Sequence, residues 1–288
     1  MAISSNKKPD TEGKFIAQLL DGIRNKRIIL PTLPEIAIKV RQAAASPGTT
    51  SAQLAKLVTL DPALSARLLQ VANSPIYRGN STIANVQTAI ARLGHTLVRN
   101  IISSMVVSQM FQARVPAPIR DRVKQAWKHT IQTAAISHVL AQKFTCLAPA
   151  QAMLAGLIHD IGKLPILSQL EYFPELLENE ETTNRLLQLL HPQIGKVILE
   201  TWQFPAEIVA VAAEHEDLQR NPGPGTDYTD IVLIANLQYH VGTAGRMGFA
   251  EWIDIPAYRK LGLRPEQYIA ALDDAQHEML EIRKLLTA

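Results

Sequence analysis

The sequence is poor in cysteine and in aromatic residues, and both shortages limit what the chain can be. Cys146 is the single cysteine among 288 residues, so no intramolecular disulfide can form. Its neighbours Phe144 and Leu147 predict a buried thiol. Aromatic residues make up 5% of the chain against a hydrophobic fraction of 47%, so aliphatic side chains and alanine must fill the core.

Long apolar runs and a strong charge of one sign are also absent. No stretch approaches the roughly 20 apolar residues of a membrane span, and the first 14 residues lack the apolar core of a signal peptide. We therefore expect a soluble cytoplasmic protein with no membrane partner. The 29 Lys and Arg residues exceed the 26 Asp and Glu residues by only three, and they are dispersed, which argues against a nucleic-acid partner.

Hydrophobic periodicity predicts an all-α protein. Apolar residues recur at helical spacing along nearly the whole chain, and the short alternating runs typical of strands are missing. Thr50 and Gln53 have the spacing of a capping box. Asp61 followed by Pro62 is typical of a helix start, and Gly94 divides two amphipathic segments.

Proline marks the expected division of the chain. Pro116 and Pro118 separate an N-terminal helical subdomain, residues 14–115, from a second helical subdomain, residues 116–288. Residues 1–13 form a polar tail. The segment 51–73 also has the outline of a helix-turn-helix, but its second helix offers only Arg67 and Gln70 to a DNA groove, so packing is the preferred interpretation.

Polar residues recur on helical faces that are otherwise apolar. His129 shares such a face with Ile136, seven residues further on. A lone buried histidine is easily satisfied by a backbone carbonyl, but several on different helices favour a shared metal ion, because unpaired buried polar groups cost about 1–3 kcal/mol each. The candidates in such positions are His129, His159, Asp160, His215 and Asn236.

Metal chemistry fits these residue types. Imidazole nitrogens combined with a carboxylate suit Fe, Mn or Zn. Lys163 lies one turn beyond His159 and Asp160, close enough to pair with that carboxylate or with a bound phosphate.

Five ordered motifs resemble those of the HD phosphohydrolase superfamily. They are Trp127–His129, Gly156–Lys163, His191–Gly195, Glu214–Glu216 and Ile234–Asn236. The first half is similar to the N-terminal signature of one branch, the HDOD family, named for the HD-related output domain. The segments that carry this likeness are Leu30–Pro34, Asp61–Leu64, Leu68–Ser74 and Ala89–Gly94, together with Trp202–Pro205. The resemblance spans roughly residues 28 to 263.

The resemblance implies an HD-domain-like helical bundle with an N-terminal helical subdomain. Such modules act in bacterial signalling through protein partners in trans, often in pathways that involve cyclic dinucleotides. The implied cofactor is a divalent metal, Fe, Mn, Zn or Mg. In an active member, Asp160 and Lys163 would be the catalytic residues. The implied ligand positions are His129, His159, Asp160, His191, His215 and Asn236.

Two departures from the active enzymes keep two functions open. Asn236 stands where active relatives carry Asp, and an amide oxygen is a weaker, neutral ligand that cannot act as a base. Glu214 stands where the HD-GYP phosphodiesterases have histidine, and we expect it to serve as a ligand instead. His240 lies one turn after Asn236 and is interpreted as partly exposed. A signalling scaffold that retains a metal site is favoured, and an active phosphohydrolase or cyclic-dinucleotide phosphodiesterase is the alternative.

Overall fold

The computed structural model describes residues 11–239, 252, 254–262 and 264–287. Over this part of the chain the regular structure is helical and no strand occurs, which confirms the all-α prediction. The first helix begins inside the predicted polar tail. The N-terminal half holds α1 Thr11–Arg24, α2 Glu35–Ala45, α3 Ser51–Val58, α4 Pro62–Ala72, α5 Val86–Leu93 and α6 His95–Gln112.

The second half begins with the longest helix, α7, which spans Ala117–Phe144. The helices that follow are α8 Pro149–Ile158, α9 Lys163–Leu170, α10 Pro174–Leu177, α11 Glu180–Thr201, α12 Ala206–Glu214, α13 Tyr228–Tyr239, α14 Pro256–Leu261, α15 Pro265–Asp274 and α16 Gln276–Thr287.

Local signals start and stop several helices where the sequence predicts. The Thr50 side chain accepts a hydrogen bond from the Gln53 amide, and the Gln53 side chain accepts one from the Thr50 amide, which completes the capping box of α3. Asp61 caps α4 through the amides of its second and third residues. Gly94 has φ of +77°, a value that favours glycine, and it separates α5 from α6.

The spacing of apolar residues such as Leu272, Met279 and Leu286 predicts a single C-terminal helix over 265–286. The structure divides this segment into two helices. Ala275 leaves the helical conformation and joins α15 to α16. It is buried, and neither glycine nor proline marks the break, so the sequence carries no local signal for it.

Packing joins the two halves into one core. Helix α6 contacts both α2 and α8, and α16 lies against α6 and α7. The indole nitrogen of Trp202 donates a hydrogen bond to the carbonyl of Pro31 at 2.9 Å. The Arg41 guanidinium lies 3.6 Å from the ring centre of Phe204, a cation–π contact that helps to stabilise a buried charge.

Cys146 is exposed, so the expectation of a buried thiol is wrong. It follows the end of α7 in a turn, and this position directs the residue to the surface although Phe144 and Leu147 beside it are half-buried.

Within the described ranges, no helix has both the length and the apolarity needed to cross a membrane.

The buried side chain of His138 on α7 is expected to make the protein sensitive to acid. Burial lowers the pKa of His138 to about 4 from 6.5. Between those values the unfolded chain binds a proton that the folded chain does not, so the free energy of unfolding falls as the pH drops from 6.5 to 4. The total decrease in the free energy of unfolding caused by His138 is about 3 kcal/mol.

Denaturant unfolding between pH 8 and pH 4 measures this effect when the H138Q variant is compared with the parent protein. At pH 8 the comparison gives the cost of the substitution alone, because the parent imidazole is neutral in both states. The variant should lose stability more gently on acidification. An identical pH dependence in the two proteins would contradict the assignment.

Candidate metal centre

Three helices and one turn bring five buried titratable side chains together in the second half of the chain. α7 contributes His129, the turn after α8 contributes His159 and Asp160, α11 contributes His191, and the residue that ends α12 is His215. Each is at most 6% exposed. Their ligand atoms form two groups that share Asp160: one with His129 and His159, the other with His191 and His215.

Two glycines allow the turn to lie between α7 and α11. A Cβ atom on Gly156 would lie 2.8 Å from the Cα of Ala134 on α7. A Cβ atom on Gly162 would lie 2.1 Å from the carbonyl oxygen of His191 on α11. The sequence therefore places glycine where backbones approach each other, and this approach brings His159 and Asp160 to the other histidines.

The pair His191 and His215 has a geometry that calls for a cation. Each Nδ1 atom donates a hydrogen bond to a backbone carbonyl, that of Leu187 or Val211, at 2.8 Å. Both Nε2 atoms therefore present lone pairs, and these atoms lie only 3.1 Å apart. Two lone pairs at that distance repel each other unless a positive ion lies between them.

The second pair, His129 and His159, repeats the spacing. Its Nε2 atoms are also 3.1 Å apart, and Nδ1 of His159 donates to the carbonyl of Gly156 at 2.7 Å. Ligand nitrogens bound at about 2.0–2.1 Å to one ion are separated by about 2.9–3.4 Å. Both pairs have the separation expected of neighbouring ligands on one ion.

Asp160 lies between the two pairs. Its Oδ2 atom is 3.4 Å from the Nε2 atoms of both His129 and His159, and it also accepts a hydrogen bond from the Lys163 ammonium. Its Oδ1 atom is 3.2 Å from Nε2 of His191 and accepts no hydrogen bond from the described residues. A buried carboxylate oxygen of this kind is the group that a bound cation would satisfy.

The electrostatics favour the protonation states that metal ligands require. Burial lowers the pKa values of His159 and His191 to about 3, so both rings are neutral at pH 7. Burial acts in the opposite direction on Asp160, but the interactions of the carboxylate with the His159 ring and with the Lys163 ammonium outweigh burial and hold the pKa of that carboxyl well below its ordinary value. Neutral imidazole and ionised carboxylate are the binding forms.

Asn236 lies on α13, which packs against α7, α8 and α12, the helices around the cluster. Its side chain is buried, and its Oδ1 atom accepts no hydrogen bond from any residue in the described ranges. This unsatisfied acceptor fits a weak neutral ligand. His240, the next candidate along the chain, lies outside the described residues.

The structure does not bring Glu214 to the cluster, which corrects the sequence expectation. Its side chain is 47% exposed and accepts a hydrogen bond from the Arg220 guanidinium at 3.0 Å. The physical reason is helical geometry, since residues 214 and 215 point about 100° apart. Glu216 lies nearer instead, with Oε1 3.8 Å from Nε2 of His215 and 4.0 Å from that of His191. Glu216 belongs to the same motif as Glu214, but nothing in the sequence favours Glu216 over Glu214 as a ligand.

The donor set fits a divalent ion of the first transition series. Histidine nitrogens dominate, Asp160 supplies an anionic oxygen to both pairs, and backbone carbonyls orient the rings of His159, His191 and His215. Fe, Mn and Zn suit such a set, whereas Mg prefers oxygen ligands.

Known proteins share both the sequence pattern and the fold. The HDOD domain profile matches residues 30–218. A structure from Shewanella amazonensis SB2B, of a protein provisionally named a metal-dependent phosphohydrolase, has a TM-score of 0.80 and 28% identity over 96% of this chain and 99% of that chain. An HDOD domain protein of unknown function from Geobacter sulfurreducens has the same fold, with a TM-score of 0.67 and 21% identity over 96% of this chain and 98% of that one.

An uncharacterized protein from Treponema pallidum (strain Nichols) is 23% identical to this chain over 237 residues. The match covers 78% of this chain and 44% of that protein, so the chain spans less than half the length of this relative.

Proposed function

The chain belongs to the HDOD family, and from this we propose that it is a signalling output module built around a buried divalent metal centre. In this proposal it acts mainly through contacts with other signalling proteins in trans, and efficient hydrolysis is not part of its function. The family match over residues 30–218 supports the signalling role. The histidine pairs and Asp160 support the metal.

Burial of the cluster is the observation that carries the proposal against efficient turnover. His159, Asp160 and His191 have no exposed area. Among the described residues, two neighbouring polar groups are more exposed: the side chains of Lys163 and Glu216 are 20% and 27% exposed. Within the part of the chain that the structure describes, a phosphoester would have to approach through this edge.

Asn236 supports the same conclusion on chemical grounds. An amide oxygen leaves the charge of an ion unneutralised and does not accept a proton at neutral pH. A site with Asn236 therefore lacks one anionic ligand and one general base compared with a site that carries aspartate there.

The alternative is an active phosphohydrolase or cyclic-dinucleotide phosphodiesterase. The four clustered histidines and the likeness to the Shewanella amazonensis protein favour it. When bound in such a site, a divalent ion supplies Lewis-acid chemistry to a phosphoester. Lys163 would then neutralise charge on the phosphate, and Asp160 would keep the two histidine pairs close to each other.

A turnover assay separates the two functions. Protein supplied with Mn or Fe is incubated with an aryl phosphodiester and with cyclic dinucleotides, and product formation is compared with that of H159A. We expect no turnover above that variant. H277A, which replaces an exposed histidine, is the matched control. Turnover that persists in H277A and disappears in H159A would establish the enzyme and exclude the scaffold.

A further inference from the structure

A cleft with a volume of about 580 Å³ lies where α7, α13 and α16 meet. Its size falls within the roughly 300–1,000 Å³ typical of small-molecule sites. None of the metal-centre residues lines it. The two sites nevertheless share helices, since Lys128 precedes His129 on α7 and Gln238 follows Asn236 by two residues on α13.

The described residues that line the cleft carry positive charge and no carboxylate. Lys124 and Lys128 lie one turn apart on α7, and Arg283 reaches the cleft from α16. Arg283 is held in place because its guanidinium donates to the Gln132 side chain at 3.0 Å and to the carbonyl of Met279 at 3.3 Å. Cations on two helices thus flank one opening, an arrangement that suits a phosphate group.

Acidic residues beside the cleft only partly offset this charge. Asp121 lies 3.8 Å from the Lys124 ammonium, and both side chains are largely exposed, so solvent weakens that pair. Glu281 on α16 is paired with Lys284. Lys124, Lys128 and Arg283 therefore remain the positive charges at the opening among the described residues.

The cleft also offers a rigid ring and an unsatisfied amide. Trp127 lines it, and the Trp127 ring stacks on Phe111 with the ring centres 5.3 Å apart, which fixes its orientation. The Oε1 atom of Gln238 is buried and accepts no hydrogen bond from the described residues. An aromatic surface and a free acceptor beside cations are the features that bind the base and the phosphate of a nucleotide.

We propose that this cleft binds a small nucleotide, with its phosphate on Lys124, Lys128 and Arg283 and its base against Trp127 and Gln238. This site would give the protein a second ligand besides the metal. The proposal does not depend on whether the metal centre is catalytic.

Isothermal titration calorimetry tests the proposal with five probes: a purine mononucleotide, a cyclic dinucleotide, the purine nucleoside, inorganic phosphate and a short single-stranded RNA. We expect a nucleotide to bind and the nucleoside and phosphate to bind more weakly. The K124E/K128E variant should weaken nucleotide affinity about tenfold or more, because the loss of one hydrogen bond between a charged lysine and a phosphate already weakens binding about tenfold. The matched control is K196E, which reverses an exposed lysine on α11.

Four outcomes would overturn the proposal. One is the absence of binding by both nucleotides, and a second is equal weakening by K196E and by K124E/K128E. The third is binding of the RNA alone, which would indicate a macromolecular ligand. Nucleotide binding lost in H159A but unchanged in K124E/K128E would place the ligand at the metal centre and would also contradict the cleft site, whatever the outcome of the turnover assay.

Discussion

The G162A variant is expected to unfold far below the melting temperature of the parent protein. A Cβ atom at position 162 would lie 2.1 Å from the carbonyl oxygen of His191 and 2.7 Å from the amide nitrogen of Gly195. Both atoms belong to the backbone of α11, so no change of rotamer relieves the contact and the helix itself must move. Overpacking of this kind costs about 3 kcal/mol or more, which corresponds to roughly 10 °C in melting temperature.

G48A is the matched control for this substitution. A Cβ atom at position 48 meets nothing within 4 Å, so the same added methyl group should change the melting temperature little. Thermal unfolding followed by circular dichroism measures both variants. A melting temperature of G162A close to that of G48A would show that α9 and α11 are not packed as described.

The D160N variant is expected to lose the stabilisation that a divalent ion gives to the parent protein. Among the described residues, Asp160 is the one carboxylate shared by both histidine groups, and an amide in its place removes the negative charge that balances an ion. Ligand at 100 times its dissociation constant stabilises a folded protein by about 2.7 kcal/mol. We expect Mn or Zn to raise the melting temperature of the parent protein and to leave that of D160N unchanged.

D121N provides the comparison because it neutralises an exposed aspartate on the same long helix as His129. It should respond to metal as the parent protein does. An equal response of D160N and D121N would mean that the ion binds elsewhere on the chain.

The sequence predicts helices best where the signals are local. The capping box at Thr50, the aspartate cap at Asp61 and the break at Gly94 depend on neighbouring residues, and the structure has all three. The break at Ala275 depends on packing between distant helices and has no such signal. Cys146 is exposed because it follows the end of a helix. The apolar residues beside it in the sequence do not predict this exposure.

The sequence predicts the site best for polar residues in apolar segments, because a buried polar side chain needs a hydrogen-bond partner or a metal ion. Apolar surroundings mark His159 and Asp160 as costly to bury alone, and the structure brings them to His129, His191 and His215. The motif does not decide between Glu214 and Glu216. That choice depends on where α12 ends and on Arg220, which holds Glu214 away from the histidines.

Elemental analysis of the protein purified without chelator tests the metal centre most directly. We expect at least one bound Fe, Mn or Zn ion per chain, absent from the H159A/D160A double variant and retained in H277A. A parent protein without stoichiometric metal, or a double variant that retains its ion, would contradict the centre formed by the two histidine pairs and Asp160.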